Sequence, residues 1–380
     1  MSQGLVPVGG ATAEIASDGT LTMLPGAGQG PAAPAGRRRR LAKSLFGTPI
    51  DAAITLACAV FLVAIAVPLL RWLVLDATFV GTTREDCVAP GACWVFIRAR
   101  FSQFMYGFYP PAERWRVDVA GLVLVAGTVL LAWPGVPRKR LLATIAVLLG
   151  PPLGIWLLYG GLGLRIVETR DWGGLMLTVF LSVYAALIAL PLGILLALGR
   201  QSRLPVIRLI ATIFIEFWRG VPIIAVIFLA SLLLPLILPN GAGIDRLARA
   251  VIGLGLCIAA YMAEAVRGGL QAIPPGQAEA ASALGLGYWR LTGLIVLPQA
   301  LRISLPALTN EFIALVKNTS LVLIVSILDL LGIAQAALAD PAWVGKTWEA
   351  YAFAGLLYWL GCFGLSRWSL SIERRGVRHR

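Results

Sequence analysis

The chain has 380 residues, of which 58% are hydrophobic and 13% are charged, and its formal net charge is +13. Soluble domains carry about 25% charged residues, so this composition excludes a soluble protein. The basic residues lie in short loops between apolar runs, where they orient membrane helices instead of binding nucleic acid. The chain is therefore expected to be an all-α polytopic membrane protein.

The amino-terminal segment, residues 1–45, is rich in glycine, alanine and proline and has little to bury, which predicts disorder. It ends in the basic cluster Arg37–Arg40 with Lys43, directly ahead of the apolar run Ala52–Leu75. That run is long enough to span a membrane and lacks an obvious cleavage site, so we interpret it as a retained first helix. The arginines are expected to hold its start in the cytoplasm.

Runs of about 20 apolar residues predict eight membrane spans. These spans are Ala52–Leu75, Val117–Trp133, Leu141–Tyr159, Gly174–Leu198, Pro205–Leu238, Ala248–Val266, Leu301–Leu330 and Trp348–Leu365. The fifth and seventh runs exceed one crossing and are expected to include interfacial helix. The even number of spans and the positions of the basic loops predict that both termini are cytoplasmic.

The spans group into two blocks flanked by basic tails. Residues 46–165 are predicted to form three extra transmembrane helices with a large periplasmic loop at 76–116, and residues 170–370 to form a domain of five helices. A second basic cytoplasmic tail is predicted at 371–380. The loop contains Cys87 and Cys93, and an oxidising periplasm would permit a disulfide between them, although free thiols are an equal alternative.

A polar, small-residue segment interrupts the second block and is typical of a helical loop that a membrane protein exposes to a partner. Small alanines allow close approach, a glycine makes a sharp exit turn, and a proline marks re-entry into the membrane. The alternative is a chance alanine-rich helix. The residues that define the segment are Glu279, Ala280, Ala281, Gly285, Ile295, Leu297 and Pro298.

The spacing of this segment resembles the coupling loop of binding-protein-dependent ABC importer permeases, so we name residues 279–298 the coupling segment. Stretches at 214–222, 260–269, 273–277 and 308–321 resemble the polar amino-acid branch of that family. The extra amino-terminal spans are similar to those of a permease of the general L-amino-acid uptake system. The resemblance implies a type I importer permease core of five carboxy-terminal helices in the bacterial inner membrane.

The resemblance also implies the partners of the chain. These are cytosolic ATPase subunits that hold ATP and Mg, a similar or identical second permease subunit, a periplasmic amino-acid-binding protein and the membrane lipid. The chain itself is expected to be no enzyme and to hold no cofactor or metal, since its one histidine, His379, lies in the basic tail. The alternative function is an ion-gradient-driven secondary transporter or channel, which would need inverted halves that the sequence does not show.

Polar residues on the predicted spans indicate a substrate path or a subunit interface. Asn310, Glu311, Lys317 and Asn318 share one helix face because residues seven apart lie on the same side. Charges at membrane depth are costly and usually face a bundle interior, a cavity or a partner. The alternative is that Glu311 and Lys317 lie low in the span, near the cytosol, where neighbours satisfy them.

Two acidic–basic pairs occur three residues apart on the fifth and sixth spans. They are Glu216 with Arg219, and Glu264 with Arg267. This spacing is that of a simple ion pair along one helix. The alternative is that these charges brace the two spans around the translocation path.

Overall fold

The computed structural model describes residues 5–8, 11–15, 21–23, 45–133, 135–233, 235 and 243–377. Packing divides the chain into two compact units, Met1–Leu75 and Asp76–Arg380. The boundary therefore falls after the first predicted span. The chain is not divided between residues 165 and 170, where the sequence predicts a domain boundary, because the second and third spans belong to the same compact unit as the carboxy-terminal helices.

In the first unit, the structure differs from the predicted disorder of residues 1–45. Three short antiparallel strands, paired in chain order, are found there: β1 (Leu5–Val8), β2 (Ala11–Ile15) and β3 (Leu21–Met23). Local pairing of β1 with β2 and of β2 with β3 supplies backbone hydrogen bonds. The basic cluster Arg37–Arg40 and Lys43 lie outside the described residues.

The first predicted span is helix α1 (Pro49–Leu70), which continues as a π-helical turn at Arg71–Leu75. A capping box starts the helix: Thr48 Oγ1 accepts from the Asp51 N–H, and Asp51 Oδ2 accepts from the Thr48 N–H. None of the residues of α1 is buried. An apolar helix with no buried residue is consistent with a surface that faces lipid.

The second unit consists of helices joined by short turns. In chain order they are α2 (Trp94–Tyr106), α3 (Arg114–Ala132), α4 (Lys139–Tyr159), α5 (Gly174–Arg200), α6 (Pro205–Gly220), α7 (Ile223–Leu232), α8 (Arg246–Gln271), α9 (Pro275–Ala283), α10 (Tyr288–Leu291), α11 (Leu297–Asn318), α12 (Leu330–Leu338) and α13 (Thr347–Val377). The described chain outside the three strands is thus almost entirely helical, as predicted.

Helix α8 lies at the centre of this unit and packs against α5, α7 and α11. Two glycines permit these close approaches. A Cβ at Gly193 of α5 would lie 2.9 Å from the Met262 Cβ, and one at Gly269 of α8 would lie 2.4 Å from the Ala300 carbonyl oxygen of α11. Since both distances are shorter than a van der Waals contact, the three helix axes approach only because these positions lack side chains.

Six helical stretches of the described chain are long and apolar enough to cross a membrane. They are Pro49–Leu75, Pro111–Ala132, Leu141–Tyr159, Gly174–Arg200, Arg246–Gln271 and Tyr288–Val325. The seventh predicted span thus starts earlier than Leu301. The eighth lies inside α13, which has 31 residues but is not among these apolar stretches.

The predicted fifth span is broken. Helices α6 and α7 meet at 103°, and the pair counts as a seventh crossing only if both helices form one span. Val221 between them is extended, with φ −91° and ψ 132°. The cause is Pro222, which disfavours helical backbone at the preceding residue.

The two ends of the bundle differ in their covering. Gly174, the first residue of α5, lies against the Phe104 carbonyl of α2, and we name this the α2 end. Arg200, the last residue of α5, contacts α8 close to the start of α9, and we name this the α9 end.

Candidate functional site

Helices α9 and α10 form an exposed projection between α8 and α11. Helix α9 ends at Ala283, and the turn after it contains Gly285. The Gly285 N–H donates to the Ser282 carbonyl at 2.9 Å, and the Leu286 N–H donates to the Ala281 carbonyl at 3.2 Å. This pair of bonds is the Schellman arrangement, which requires a left-handed residue at the glycine position. Gly285 has φ +76°, so the chain turns sharply where the sequence predicts an exit turn.

The projection has an outward and an inward side. Leu284 is 82% exposed and Trp289 is 78% exposed, while Glu279 is also exposed. Ala281 is 3% exposed and is the buried residue of α9, which contacts α10 and the turn that follows it. The side chain at 281 must be small for α9 to lie this close, and large apolar side chains exposed beside it are typical of a protein contact.

Glu279 does not lie at the start of α9, where a carboxylate would interact with the positive end of the helix dipole. Helix α9 begins at Pro275, so Glu279 is its fifth residue and the first turn contains no acidic side chain. The proline defines the start because it needs no N–H partner there. Glu279 is therefore an exposed charge in the middle of the projection.

The return into the bundle is continuous helix. Helix α10 leads into a π-helical turn at Thr292–Val296 and then into α11, so Pro298 is not a helix start. Ile295 lies in the turn, and its carbonyl accepts from Gln299 Nε2 at 2.9 Å. Wider π-helical bonding just before Pro298 accommodates a residue that lacks an N–H. Thr292 is buried and Leu297 is half-buried.

A charged cluster lies at the base of the projection, and we name it the Glu264 cluster. Arg200 Nη1 lies 2.7 Å from Glu264 Oε1, and Arg200 Nη2 lies 2.8 Å from Glu216 Oε1. Arg267 Nε donates to Glu264 Oε1 at 3.1 Å, Arg267 Nη2 donates to Glu264 Oε2 at 2.8 Å, and Arg219 Nη1 lies 3.8 Å from Glu264 Oε2. The cluster joins α5, α6 and α8.

The cluster decides between the two interpretations of the acidic–basic pairs. Glu264 and Arg267 do form an ion pair within α8, but Glu216 contacts Arg200 of another helix. The helices are thus braced to one another. Sequence analysis did not identify Arg200 as a site residue, because Arg200 and Glu264 are 64 residues apart and no local periodicity connects them. An arginine at the carboxyl end of an apolar helix was the available signal.

The polar side chains predicted on α11 all lie in the second half of the helix, farther from α9. Glu311 and Asn318 are half-buried, while Asn310 and Lys317 are exposed in this chain. Lys317 is 20 residues from the start of α11, about 30 Å away along the axis. Because α11 starts at the α9 end, Lys317 lies toward the α2 end. Lys317 is therefore distant from the coupling segment, whereas the position of Glu311 and Lys317 relative to the cytosol stays a prediction.

Glu311 and Arg219 approach each other beside Tyr261 on α8. The Arg219 guanidinium lies 5.9 Å from the Tyr261 ring centroid, and the Tyr261 hydroxyl donates to the Arg219 carbonyl at 3.5 Å. Glu311 interacts electrostatically with both Arg219 and Tyr261. The structure thus places a half-buried carboxylate and an exposed guanidinium from different helices near one half-buried aromatic ring.

At the α2 end, the loop between the first two spans of the predicted first block is folded and packed. Cys87 and Cys93 form a disulfide. The Cys93 N–H donates to Glu349 Oε1 at 2.9 Å, and Arg100 pairs with Asp340. The backbone N–H groups of Thr83 and Thr82 donate to Asp86 at 2.8 Å and 2.7 Å and lower the pKa of its carboxyl group.

Aromatic packing holds the same loop on the bundle. Phe96 and Phe104 of α2 are fully buried. The ring centroid of Phe96 lies 5.5 Å from that of Trp343, and the ring centroid of Phe104 lies 5.2 Å from that of Phe353. The salt bridge between Arg100 and Asp340 adds a charged contact between this loop and the carboxy-terminal block. Nothing in the local sequence announces these contacts. Among the described residues, no three His, Cys, Asp or Glu side chains could hold a metal ion.

Comparison with known proteins adds the family. Residues 189–376 match the family described as binding-protein-dependent transport system inner membrane component. The chain is 49% identical over 335 residues to the inner membrane amino-acid ABC transporter permease protein YhdY of Escherichia coli (strain K12), covering 88% of this chain and 91% of the relative. The matched region contains α8 to α11 and hence the coupling segment.

Two further similarities extend this comparison. The chain is 37% identical over 416 residues to the glutamate/glutamine/aspartate/asparagine transport system permease protein BztC of Rhodobacter capsulatus, covering 91% of this chain and 95% of the relative. A solved structure, described as the crystal structure of an amino acid ABC transporter with histidines, is 31% identical, with a TM-score of 0.48, and covers 53% of this chain and 92% of that one.

Proposed function

This chain belongs to the family of binding-protein-dependent transport system inner membrane components, and we propose that it is the permease subunit of an ATP-driven importer of L-amino acids. It is a multi-pass permease of the bacterial inner membrane, and a permease subunit is not itself catalytic. Both relatives that match over most of its length are named as amino-acid transport permeases. The alternative of an ion-gradient-driven transporter or channel is therefore set aside.

The proposal rests on the exposed projection formed by α9 and α10, because its large apolar side chains are not covered by the rest of the described chain. We propose that it docks in a groove of a cytosolic ATPase subunit that binds ATP and Mg. Leu284 and Trp289 supply apolar contact area, and Glu279 supplies a carboxylate for a basic residue of the partner. The small, exposed Ala280 allows the partner to approach α9 closely, and the small, buried Ala281 lets α9 pack against the rest of the projection. Gly285 sets the angle of the turn.

The Glu264 cluster would transmit this docking to the spans. Arg267 is eight residues before the start of α9, so displacement of the projection is applied directly to the end of α8. Arg200 connects that end to α5 and, through Glu216, to α6. Since charged hydrogen bonds hold three helices in one arrangement, movement of α9 shifts them together as a rigid body.

The substrate path would follow the polar face of α11. An amino acid carries a carboxylate and an ammonium group, and Arg219 and Glu311 present the complementary charges beside Tyr261. Asn310, Lys317 and Asn318 continue this polar face toward the α2 end or face a second permease subunit, similar or identical to this chain. A periplasmic amino-acid-binding protein would deliver the substrate at the α2 end, with both termini in the cytoplasm.

The docking proposal is tested with the complete transporter in proteoliposomes. Glu279→Lys and Gly285→Trp are expected to leave the protein inserted but to uncouple ATP hydrolysis from amino-acid uptake. Trp at position 285 must adopt a positive φ, at a cost of about 1 kcal/mol or more, and adds bulk to the docking face. Glu85→Lys, an exposed charge reversal at the α2 end, is the matched control and should transport normally. Normal coupled uptake by both α9 variants would refute the docking role.

A further inference from the structure

An open groove lies between α2 and α13 at the α2 end, apart from the polar face of α11. Its volume is about 640 Å³, and its lining includes Phe79, Trp94, Arg98, Phe101, Phe353 and Leu356. The lining is mostly apolar, with one cationic side chain. Phe79, Phe101 and Leu356 are each about half exposed, so the groove is open along its length.

The groove lies at the boundary between headgroups and hydrocarbon. Helix α2 is tied at its amino end to Glu349, in the first turn of α13, and at its carboxyl end to Gly174, the first residue of α5. One contact is at the start of the 31-residue helix α13 and the other at the start of α5, which is long and apolar enough to cross a membrane. A helix that connects two such helix ends would lie along the membrane surface, with Arg98 at the level of lipid headgroups.

The opposite wall of the groove is deeper. Trp348, near the start of α13, is 76% exposed, as is usual for an interfacial tryptophan. Phe353 and Leu356 follow five and eight residues later, about 8 Å and 12 Å farther along the helix axis. The groove thus runs from a cation at headgroup level to aromatic and aliphatic side chains within the hydrocarbon.

Arg98 differs in its contacts from the neighbouring arginine of α2. Arg100 pairs with Asp340, whereas in the described part of the chain no carboxylate forms a salt bridge with Arg98, which is exposed. The positive charge is therefore free to meet an anion from outside the protein. A peptide segment is a poor occupant because its backbone polar groups would be unsatisfied at this depth.

We propose that this groove binds one phospholipid with a net negative headgroup, whose phosphate pairs with Arg98 and whose acyl chain lies along Phe353 and Leu356. The shape, the depth and the single positive charge match the two parts of that molecule. The bound lipid would fill the space beside the α2–α13 contact. This proposal depends on the membrane position of α2 and not on the direction or energy source of transport.

The complete transporter complex, reconstituted with equal amounts of phosphatidylglycerol and phosphatidylethanolamine, is released into the gas phase and its retained lipids are weighed by native mass spectrometry. We expect preferential retention of phosphatidylglycerol. Arg98→Gln should lower that retention about fivefold, since one basic residue near a membrane surface contributes about that much attraction to an anionic lipid. Arg98→Lys should preserve it, and Ser102→Trp, which fills the groove, should abolish it.

Arg84→Gln is the matched control, because Arg84 is exposed in the same loop but does not line the groove. It should retain lipid as the unaltered protein does. Equal retention by Arg98→Gln and the unaltered protein would overturn the proposal, as would equal retention of the two phospholipids. High-yield oxidative cross-linking of Leu356→Cys to Cys58 of α1 would also overturn it, since the first helix would then occupy the groove.

Discussion

The two ends of the helical bundle are finished in different ways. At the α9 end, Leu284 and Trp289 remain 82% and 78% exposed on a projection attached through small residues. At the α2 end, Phe96 and Phe104 are fully buried against helices far away in the sequence. One end leaves apolar surface uncovered, while the chain covers much of the other end with its own loop. The buried rings at the α2 end stabilise the chain itself, whereas exposed apolar surface of the kind found at the α9 end is typical of a binding site.

The largest expected effect is a loss of stability when the packing of Phe96 and Phe104 at the α2 end is disrupted. Phe96→Asp would place a carboxylate among the rings of Phe104 and Trp343, at a cost of about 4 kcal/mol, because no described basic group faces that position. The purified protein should unfold at a distinctly lower temperature or detergent concentration. Val88→Asp is the control, since Val88 is 88% exposed in the same loop. Equal stability of the two variants would show that the α2 end does not depend on this core.

Removal of the disulfide should have a smaller effect at the same end. The double variant Cys87→Ser, Cys93→Ser opens a loop with a sequence separation of 6 and should lower the free energy of unfolding by about 2 kcal/mol. Thermal unfolding with and without reductant measures this change. Cys362→Ala, which alters a cysteine outside the loop, should retain the sensitivity to reductant. A double variant as stable as the oxidised parent would contradict the predicted contribution.

The α9 end should instead lose function with little loss of stability. Arg200→Gln keeps one donor but removes the charge shared by Glu216 and Glu264, and uptake per ATP hydrolysed should fall about tenfold, as for the loss of one charged hydrogen bond. Arg203→Gln, an exposed arginine of the same turn, is the control. Unchanged coupling in Arg200→Gln would mean that the cluster holds the helices without transmitting movement.

The smallest expected effect concerns the path between the two ends. Asn310→Leu and Lys317→Leu should still insert, because the change favours the membrane, but they should slow uptake less than Arg200→Gln does. Phe312→Leu on the opposite side of α11 is the control. Initial uptake rates in vesicles, normalised to the amount of inserted protein, make the comparison. If both polar variants match the control, the polar face does not line the path.

The sequence alone determined the local features of this protein. Apolar runs located nearly all the long helices, and the glycine of the coupling segment marked a turn that needs positive φ. These features depend on residues a few positions apart, so periodicity and the special conformations of glycine and proline reveal them. Of the eight predicted spans, six correspond to single apolar stretches and one to a bent pair.

Only the tertiary structure decided how distant segments meet. Cys93 and Glu349 are 256 residues apart, and Arg200 and Glu264 are 64 apart, yet both pairs are in direct hydrogen-bond contact. No period in the sequence connects such residues. The packing of α2 on α13 and the bracing of α5, α6 and α8 follow instead from which apolar faces and charges come together once the helices assemble. The sequence therefore determined the helices, and their assembly decided which end keeps large apolar side chains exposed.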